Sequence, residues 1–279
     1  MFPDKVVLAY DFSEAMDNLL KRLKDLKKLG IREVFILHVS DITKSGAHGQ
    51  IGRENRSEKL STVRAEVKKM GFDNVDKDVL LGFPSEEIPK YAKRKDAMIL
   101  IGSHGRGVIK KVFLGGTAYE VIRKAKTPVL VEKVREKNPP EDITKKIILP
   151  TDFSEESERL IELLEKSPVS FREIFLLSVI ERGETRQELE ERREKLMSQL
   201  EDLKRRLRST DKFEAVDYSV EEGAASRMIS SNARSQGASM ICMISRKRTG
   251  IKEMLIGTTA KEVTRLSSVP ILLVPGETL

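Results

Sequence analysis

Glycines, a histidine and several cations crowd one stretch of the chain: Ile101-Gly102-Ser103-His104-Gly105-Arg106-Gly107-Val108-Ile109-Lys110-Lys111-Val112-Phe113-Leu114-Gly115-Gly116-Thr117. Bare glycine backbone lets amides approach phosphate oxygens closely, and a helix N-terminus favours negative charge. Arg106, Lys110 and Lys111 add positive charge. The chemistry these types and spacings serve is phosphate binding. Other chemistries are poorly served. No Gly-Lys-[Ser/Thr] occurs, so this is not a Walker loop, and no Gly-x-Gly-x-x-Gly follows a first strand. The only histidines are His38, His48 and His104, and the only cysteine is Cys242. That excludes an intrachain disulfide and argues against a zinc or multi-histidine metal site. No nucleophile with a partner base and no acidic pair for a metal accompanies the glycines, which disfavours a committed enzyme.

The elements that must hold this loop are written twice. Lys5-Val6-Val7-Leu8-Ala9-Tyr10-Asp11-Phe12-Ser13-Glu14 matches Lys146-Ile147-Ile148-Leu149-Pro150-Thr151-Asp152-Phe153-Ser154-Glu155. Arg32–Val39 matches Arg172–Val179, Met98–Ile101 matches Met240–Met243, and Gly115, Ala118, Glu120 and Pro128 match Gly257, Ala260, Glu262 and Pro270. A period this long is a tandem duplication of a whole domain. The polar, proline-bearing stretch Lys137–Asp142 reads as the linker. The expected domains are residues 1–138 and 143–279.

Within one repeat, Val6–Tyr10, Val34–Val39, Met98–Ile101 and Val129–Val131 are short apolar runs suited to strands buried on both faces. Asp76–Leu81 is a fifth strand. Leu19, Leu20, Leu23, Leu26 and Leu29 stand at helical spacing, with Gly30 as a stop. Ala118, Val121, Ile122 and Ala125 repeat that spacing before Thr127-Pro128. Helices are expected near Glu54–Met70 and Glu184–Ser209, and Pro89 is expected to start or kink the third helix, where Ser230 stands in the second repeat. Alternating strands and helices predict an α/β fold: two tandem five-stranded, mostly parallel sheets with helices on both faces. Ligands of such sheets sit at the strands' carboxyl ends.

The spacing Gly102-x2-Gly105-x9-Gly115, the strand ending in Asp11, the strand ending in His38-Val39 and the run Thr127-Pro128-Val129-Leu130-Val131 together resemble the universal stress protein family. The resemblance covers both repeats. It implies a Rossmann-like fold that binds adenine nucleotides in many members. It implies that Asp11 and Val39, with Ala9 and Tyr10 beside them, face the adenosine. By the same token Ile101, Gly102, Gly105, Gly115 and Gly116 line the phosphates, and His104 and Arg106 approach them. AMP, ADP or ATP is the implied ligand, with magnesium accompanying ATP. One departure stands out: Gly116 occupies the family's [Ser/Thr] position.

Thr117 has two readings. It can supply the missing hydroxyl, or it can cap a helix in the box Thr117-x-x-Glu120, repeated as Thr259-x-x-Glu262. The capping reading is the favoured one. Asp11 likewise reads either as a nucleoside contact or as a turn residue before Phe12-Ser13. In the second repeat Ile244, Lys247 and Thr249 replace Gly102, Gly105 and Gly107, so side chains fill the places where phosphate needs bare backbone. Asp152, Val179, Gly257 and Thr258 keep the remainder, which predicts a weaker or empty second site. Arg246–Arg248 read as a solvated basic loop. His38 reads as a satisfied strand-end histidine, His48 as a loop residue, Cys242 as a buried inert thiol, and Phe35, Phe175 and Tyr119 as packing residues.

Composition bounds the rest. The chain has 279 residues, 39% apolar and 34% charged, with net charge +7. The charge is lopsided: residues 1–140 hold 28 basic against 19 acidic side chains, and residues 141–279 hold 23 against 25. The first repeat is the better anion host. High charge, scarce glutamine and no tryptophan fit a thermophile. No run reaches membrane-spanning length and no signal peptide is apparent, so a cytoplasmic protein is expected. Nucleic acid is disfavoured because no aromatic platform accompanies the basic excess. The reading is a nucleotide-binding regulatory module. A slow ATPase or phosphotransferase and a nucleotide-free interaction module are the alternatives. The last strands of the repeats, Val129–Val131 and Ile271–Val274, are apolar and expected at sheet edges, a liability that pairing removes. The family resemblance implies that they pair antiparallel and make the chain a pseudo-dimer of itself, with room for a further homodimer and an unknown protein partner.

Overall fold

The computed structural model describes residues 3–13, 16–42, 49–103, 114–133, 140–181, 185–245 and 256–276, with backbone alone for 49–53. The first half runs β1 (Lys5–Ala9), α1 (Met16–Lys28), β2 (Glu33–Asp41), α2 (Gly49–Lys68), β3 (Asn74–Gly82), α3 (Pro84–Lys95), β4 (Met98–Gly102), α4 (Gly116–Lys124) and β5 (Val129–Glu132). The second half repeats it: β6 (Lys146–Pro150), α5 (Glu155–Glu165), β7 (Phe171–Ile180), α6 (Arg186–Arg208), β8 (Phe213–Glu222), α7 (Ala225–Ser235), β9 (Met240–Ser245), α8 (Thr258–Leu266) and β10 (Ile271–Pro275).

All ten strands form one sheet in the order β3-β2-β1-β4-β5-β10-β9-β6-β7-β8. Every neighbour pair is parallel except the central one. There β5 meets β10 antiparallel, with Val131 opposite Ile271, Leu130 opposite Leu272 and Val129 opposite Leu273. The expected pairing of the last strands is therefore the joint of the molecule.

Strand side chains alternate between faces, and both faces are buried. Val6 and Leu8 point to the layer of α1, α2, α5 and α6, with Leu19, Leu23, Leu60, Leu160 and Leu200. Val7 and Ala9 point to the layer of α3, α4, α7 and α8, with Ile88, Val121, Ile229 and Val263. Each layer runs through both repeats. This explains why the strands read as unbroken apolar runs.

The punctuation holds with one correction. Gly30 takes φ +88° just past α1, and the Ile31 N–H returns to the Leu26 carbonyl at 3.0 Å, closing the helix. Pro89 does not start α3. Pro84 does, at the first helical position where a missing N–H costs nothing. Pro89 lies inside the helix and is buried there.

Candidate functional site

The chain winds from β1 outward to β3, then returns to place β4 on the other side of β1. Such a reversal opens a crevice at the carboxyl ends of the strands on either side of it. Parallel register aligns Ala9 with Leu37 and Leu8 with Leu100. Ala9, Tyr10 and Asp11 therefore leave β1 beside Val39 at the end of β2 and Ile101-Gly102 at the end of β4. The structure brings these sequence-predicted residues to one rim. His104, Gly105 and Arg106 lie outside the described residues, as do Lys247 and Thr249.

The first wall of the crevice is a tight turn. The Asp11 carboxylate (Oδ1) accepts the Ser13 N–H at 2.9 Å, so the turn reading of Asp11 is realised. Phe12 between them sits at φ 60°, a left-handed conformation uncommon outside glycine. The ring of Phe12 is braced edge-on by Tyr10 and His38, with centroids at 5.1 and 4.8 Å. The Tyr10 N–H donates to the Leu37 carbonyl at 2.8 Å, and Tyr10 O lies 2.8 Å from His38 Nδ1. His38 is thus the satisfied strand-end histidine expected of it. The second repeat copies the device with other chemistry: Phe153 has φ 56°, and the Ser178 hydroxyl donates to the Thr151 carbonyl at 2.8 Å.

The second wall is the start of α4. Its N-cap is Gly115, with no side-chain cap. Gly115 is fixed by its own N–H, which donates to the Ser103 carbonyl at 2.9 Å, while the Ser103 N–H donates to the Glu132 carbonyl at 2.8 Å. The first amides of a helix have no intrahelical partner. Among the described residues Gly116 is exposed, with no heavy atom within 4 Å of where a Cβ would stand.

This overturns the capping reading of Thr117. Thr117 is the second residue of α4, past the cap, and is exposed. Glu120 turns away to Arg123 and Lys124, at 2.8 and 3.4 Å. Thr259 and Glu262 fail as a box for the same reason: α8 is capped by Gly257, and Glu262 pairs with Arg265 at 2.7 Å. A box needs its hydroxyl residue at the cap itself, and the glycine two places earlier takes that position in both repeats.

At the equivalent rim of the second repeat stand Asp152, Val179, Gly257 and Thr258. The Asp152 Oδ1 already accepts the Ser154 N–H at 3.2 Å and the Ser157 hydroxyl at 2.9 Å. Ile244 brings a side chain to Gly102's place at the end of β9 and packs it against the core. Cys242 is fully buried in β9, and burial pushes its thiol up to about 12, so it is inert.

Sequence reasoning missed the charges behind the rim. Arg22, Asp25 and Glu132 are buried at 4%, 4% and 0% exposure. A cation inside the leucine stripe of α1, and a carboxylate closing the run Val129-Leu130-Val131, were the available signals.

The fold and its crevice define a doubly wound α/β protein of the Rossmann-like type. Residues 3–133 and 144–275 each match the universal stress protein family, and the chain belongs to that family. It is 31% identical over 153 residues to universal stress protein MJ0577 of Methanocaldococcus jannaschii, an alignment covering 46% of this chain and 94% of that one. The solved structure of a universal stress protein from Archaeoglobus fulgidus superposes with a TM-score of 0.71 at 25% identity, covering 98% of both chains. A functionally unknown protein from Pseudomonas aeruginosa, PA1789, shares the fold with a TM-score of 0.71 at 16% identity, covering 98% of this chain and 93% of that one.

Proposed function

We propose that this chain is an adenine-nucleotide-binding regulatory protein of the stress response, with one working site in the first repeat (residues 1–138) and no committed catalytic machinery. The observation that carries this reading is the α4 N-terminus: it starts on Gly115 and Gly116, is open at Gly116 among the described residues, and stands at the crevice between β1 and β4. The amides of a helix start and the helix dipole suit a phosphate there. Asp11 and Val39, with Ala9 and Tyr10, take the adenosine. Gly102, Gly115, Gly116 and Thr117 take the phosphates, joined by Ile101, His104, Gly105 and Arg106 of the loop. Among the described residues nothing stands within 4 Å of a Cβ built at Gly116, which suits a phosphate at that end. In the second repeat (residues 143–279), Asp152, Val179, Gly257 and Thr258 form a weaker counterpart, since Ile244, Lys247 and Thr249 stand where the first repeat has glycine.

Among the described residues no helix is long and apolar enough to cross a membrane, and no cluster of three or more His, Cys, Asp or Glu could hold a metal. Magnesium is expected to accompany ATP. A cytoplasmic, heat-adapted protein that forms a homodimer is the setting this reading expects. A thermal-shift scan with AMP, ADP, ATP and GTP tests it. Adenine nucleotides raise Tm and GTP does not. No shift with any of them removes the reading.

A further inference from the structure

The guanidinium of Arg22 joins three parts of the molecule. Its Nε donates to Glu132 Oε2 at 2.6 Å and one Nη to Glu132 Oε1 at 3.3 Å. Another Nη donates to Asp25 one turn along α1. A fourth bond goes to the backbone carbonyl of Pro140, in the linker between the repeats, at 3.0 Å. Lys28 extends the same contact, reaching Asp142 at 2.7 Å and Asp25 at 3.8 Å.

Burying three charges is costly, and well-packed apolar residues in their place are often as stable or more so. Burial pushes the Glu132 and Asp25 carboxyls up, against the pull of Arg22. The second repeat takes the apolar solution: Leu163 and Val274 stand where Arg22 and Glu132 do, and exposed Lys166 replaces Asp25. The charged cluster therefore belongs to the repeat whose glycine loop is intact. It also lies one peptide from that loop. Glu132, held by its side chain, accepts the Ser103 N–H with its carbonyl, and Ser103 in turn accepts from Gly115 at the cap of α4.

We propose that the Arg22–Asp25–Glu132 cluster is a positioning latch. It sets the end of β5, and through Ser103 the N-terminus of α4, against α1 and the inter-repeat linker. Its consequence for ligand rests on the nucleotide reading above: the latch holds the amides where a phosphate meets them, and it ties that geometry to the linker.

The test uses the full chain and two variants. Arg22→Leu/Asp25→Leu/Glu132→Val removes all three buried charges. Arg22→Lys keeps the positive charge but loses the planar fork that serves three acceptors at once. Amide hydrogen exchange is read at Ser103 and Gly115 without ligand, and ATP and adenosine are titrated by calorimetry. Exchange at both amides speeds up in both variants. ATP affinity falls by about tenfold, the worth of one charged hydrogen bond, while adenosine affinity holds. The triple variant keeps its Tm or gains. Unchanged exchange in both variants overturns the latch. So does an equal loss of ATP and adenosine, which marks general loosening. Faster exchange in variants of a chain that binds no nucleotide upholds the latch and removes only the nucleotide reading. Should the triple variant not fold, Arg22→Lys alone decides by the same readouts.

Discussion

At Gly116 a side chain would find open space, and this makes the position a direct test of how the phosphate end is read. A Cβ there meets nothing within 4 Å. Among the described residues, then, Gly116→Ser should leave the start of α4 intact and add a hydroxyl beside the first amides of the helix. A hydrogen bond to a charged group contributes about 1.5–3 kcal/mol, or roughly tenfold or more in affinity. ATP should tighten by that factor and AMP by less, while in the wild type AMP or ADP binds at least comparably to ATP. Paired binding constants check this; equal changes for ATP and AMP would move the discrimination to Thr117 or to the basic residues of the loop. Residue-scale reading of the sequence was uneven for identifiable reasons. Gly102 and Gly115 stood out because bare glycines are local features, and Asp11 and Val39 were picked out by the family resemblance at two strand ends. Thr117 misled because a capping box is defined by where the helix begins, and Gly115 moved that boundary. Arg22 and Glu132 escaped because a buried charge shows only when its distant partner is known.

Elements behave as their periodicity predicts, and their joints carry the pH dependence. The helical leucines of α1 and the apolar runs of the strands were legible because burial on both faces leaves no choice of residue type. The linker contact was not, since Lys28 and Asp142 lie 114 positions apart. Asp142 is partly desolvated, which raises its pKa, yet the bonds from Lys28 and from the Thr144 backbone and hydroxyl outweigh this and hold it below the ordinary 3.8. A depressed carboxylate gives stability that is present above its unfolded pKa and is lost as pH falls through the lower folded value. The α1–linker joint should thus hold at neutral pH and loosen only below about pH 4. Melting curves across that range test it: the acid-side fall in Tm should shrink in Asp142→Asn. An identical fall in the variant would place the acid sensitivity elsewhere.

Across the whole molecule the duplication becomes a single sheet. Tyr119 of α4 and Lys261 of α8, equivalent positions in the two repeats, meet at the joint with the ammonium 5.0 Å from the ring centre. Lys133 is buried beyond β5 and donates to the Thr264 carbonyl of α8. The outer edges, β3 and β8, carry Asp76, Lys77, Asp78, Glu214 and Asp217, charges that discourage further strand addition. Because both core layers cross the joint, the repeats should unfold together. Leu272 of β10 is 5% exposed and faces Leu130 of β5. Leu272→Ala should cost about 2–5 kcal/mol and lower one shared transition in calorimetry. Two separated transitions, only one of them shifted, would show the repeats to be independent. An apolar terminal strand at an open edge called for a partner, and the family resemblance supplied which one, whereas the cross-joint contacts of Tyr119 and Lys133 required the pairing register.

The central claim is that a nearly symmetric fold carries an asymmetric function. The direct measurement is calorimetric titration of the full chain with ATP, beside Gly105→Lys, which copies the second repeat's residue into the first, and Asp152→Asn, which alters only the second. About one tight site per chain, abolished by Gly105→Lys and retained in Asp152→Asn, is the outcome expected when the cost of filling a phosphate cradle falls on the intact loop. Two equal tight sites, or full affinity in Gly105→Lys, would contradict it.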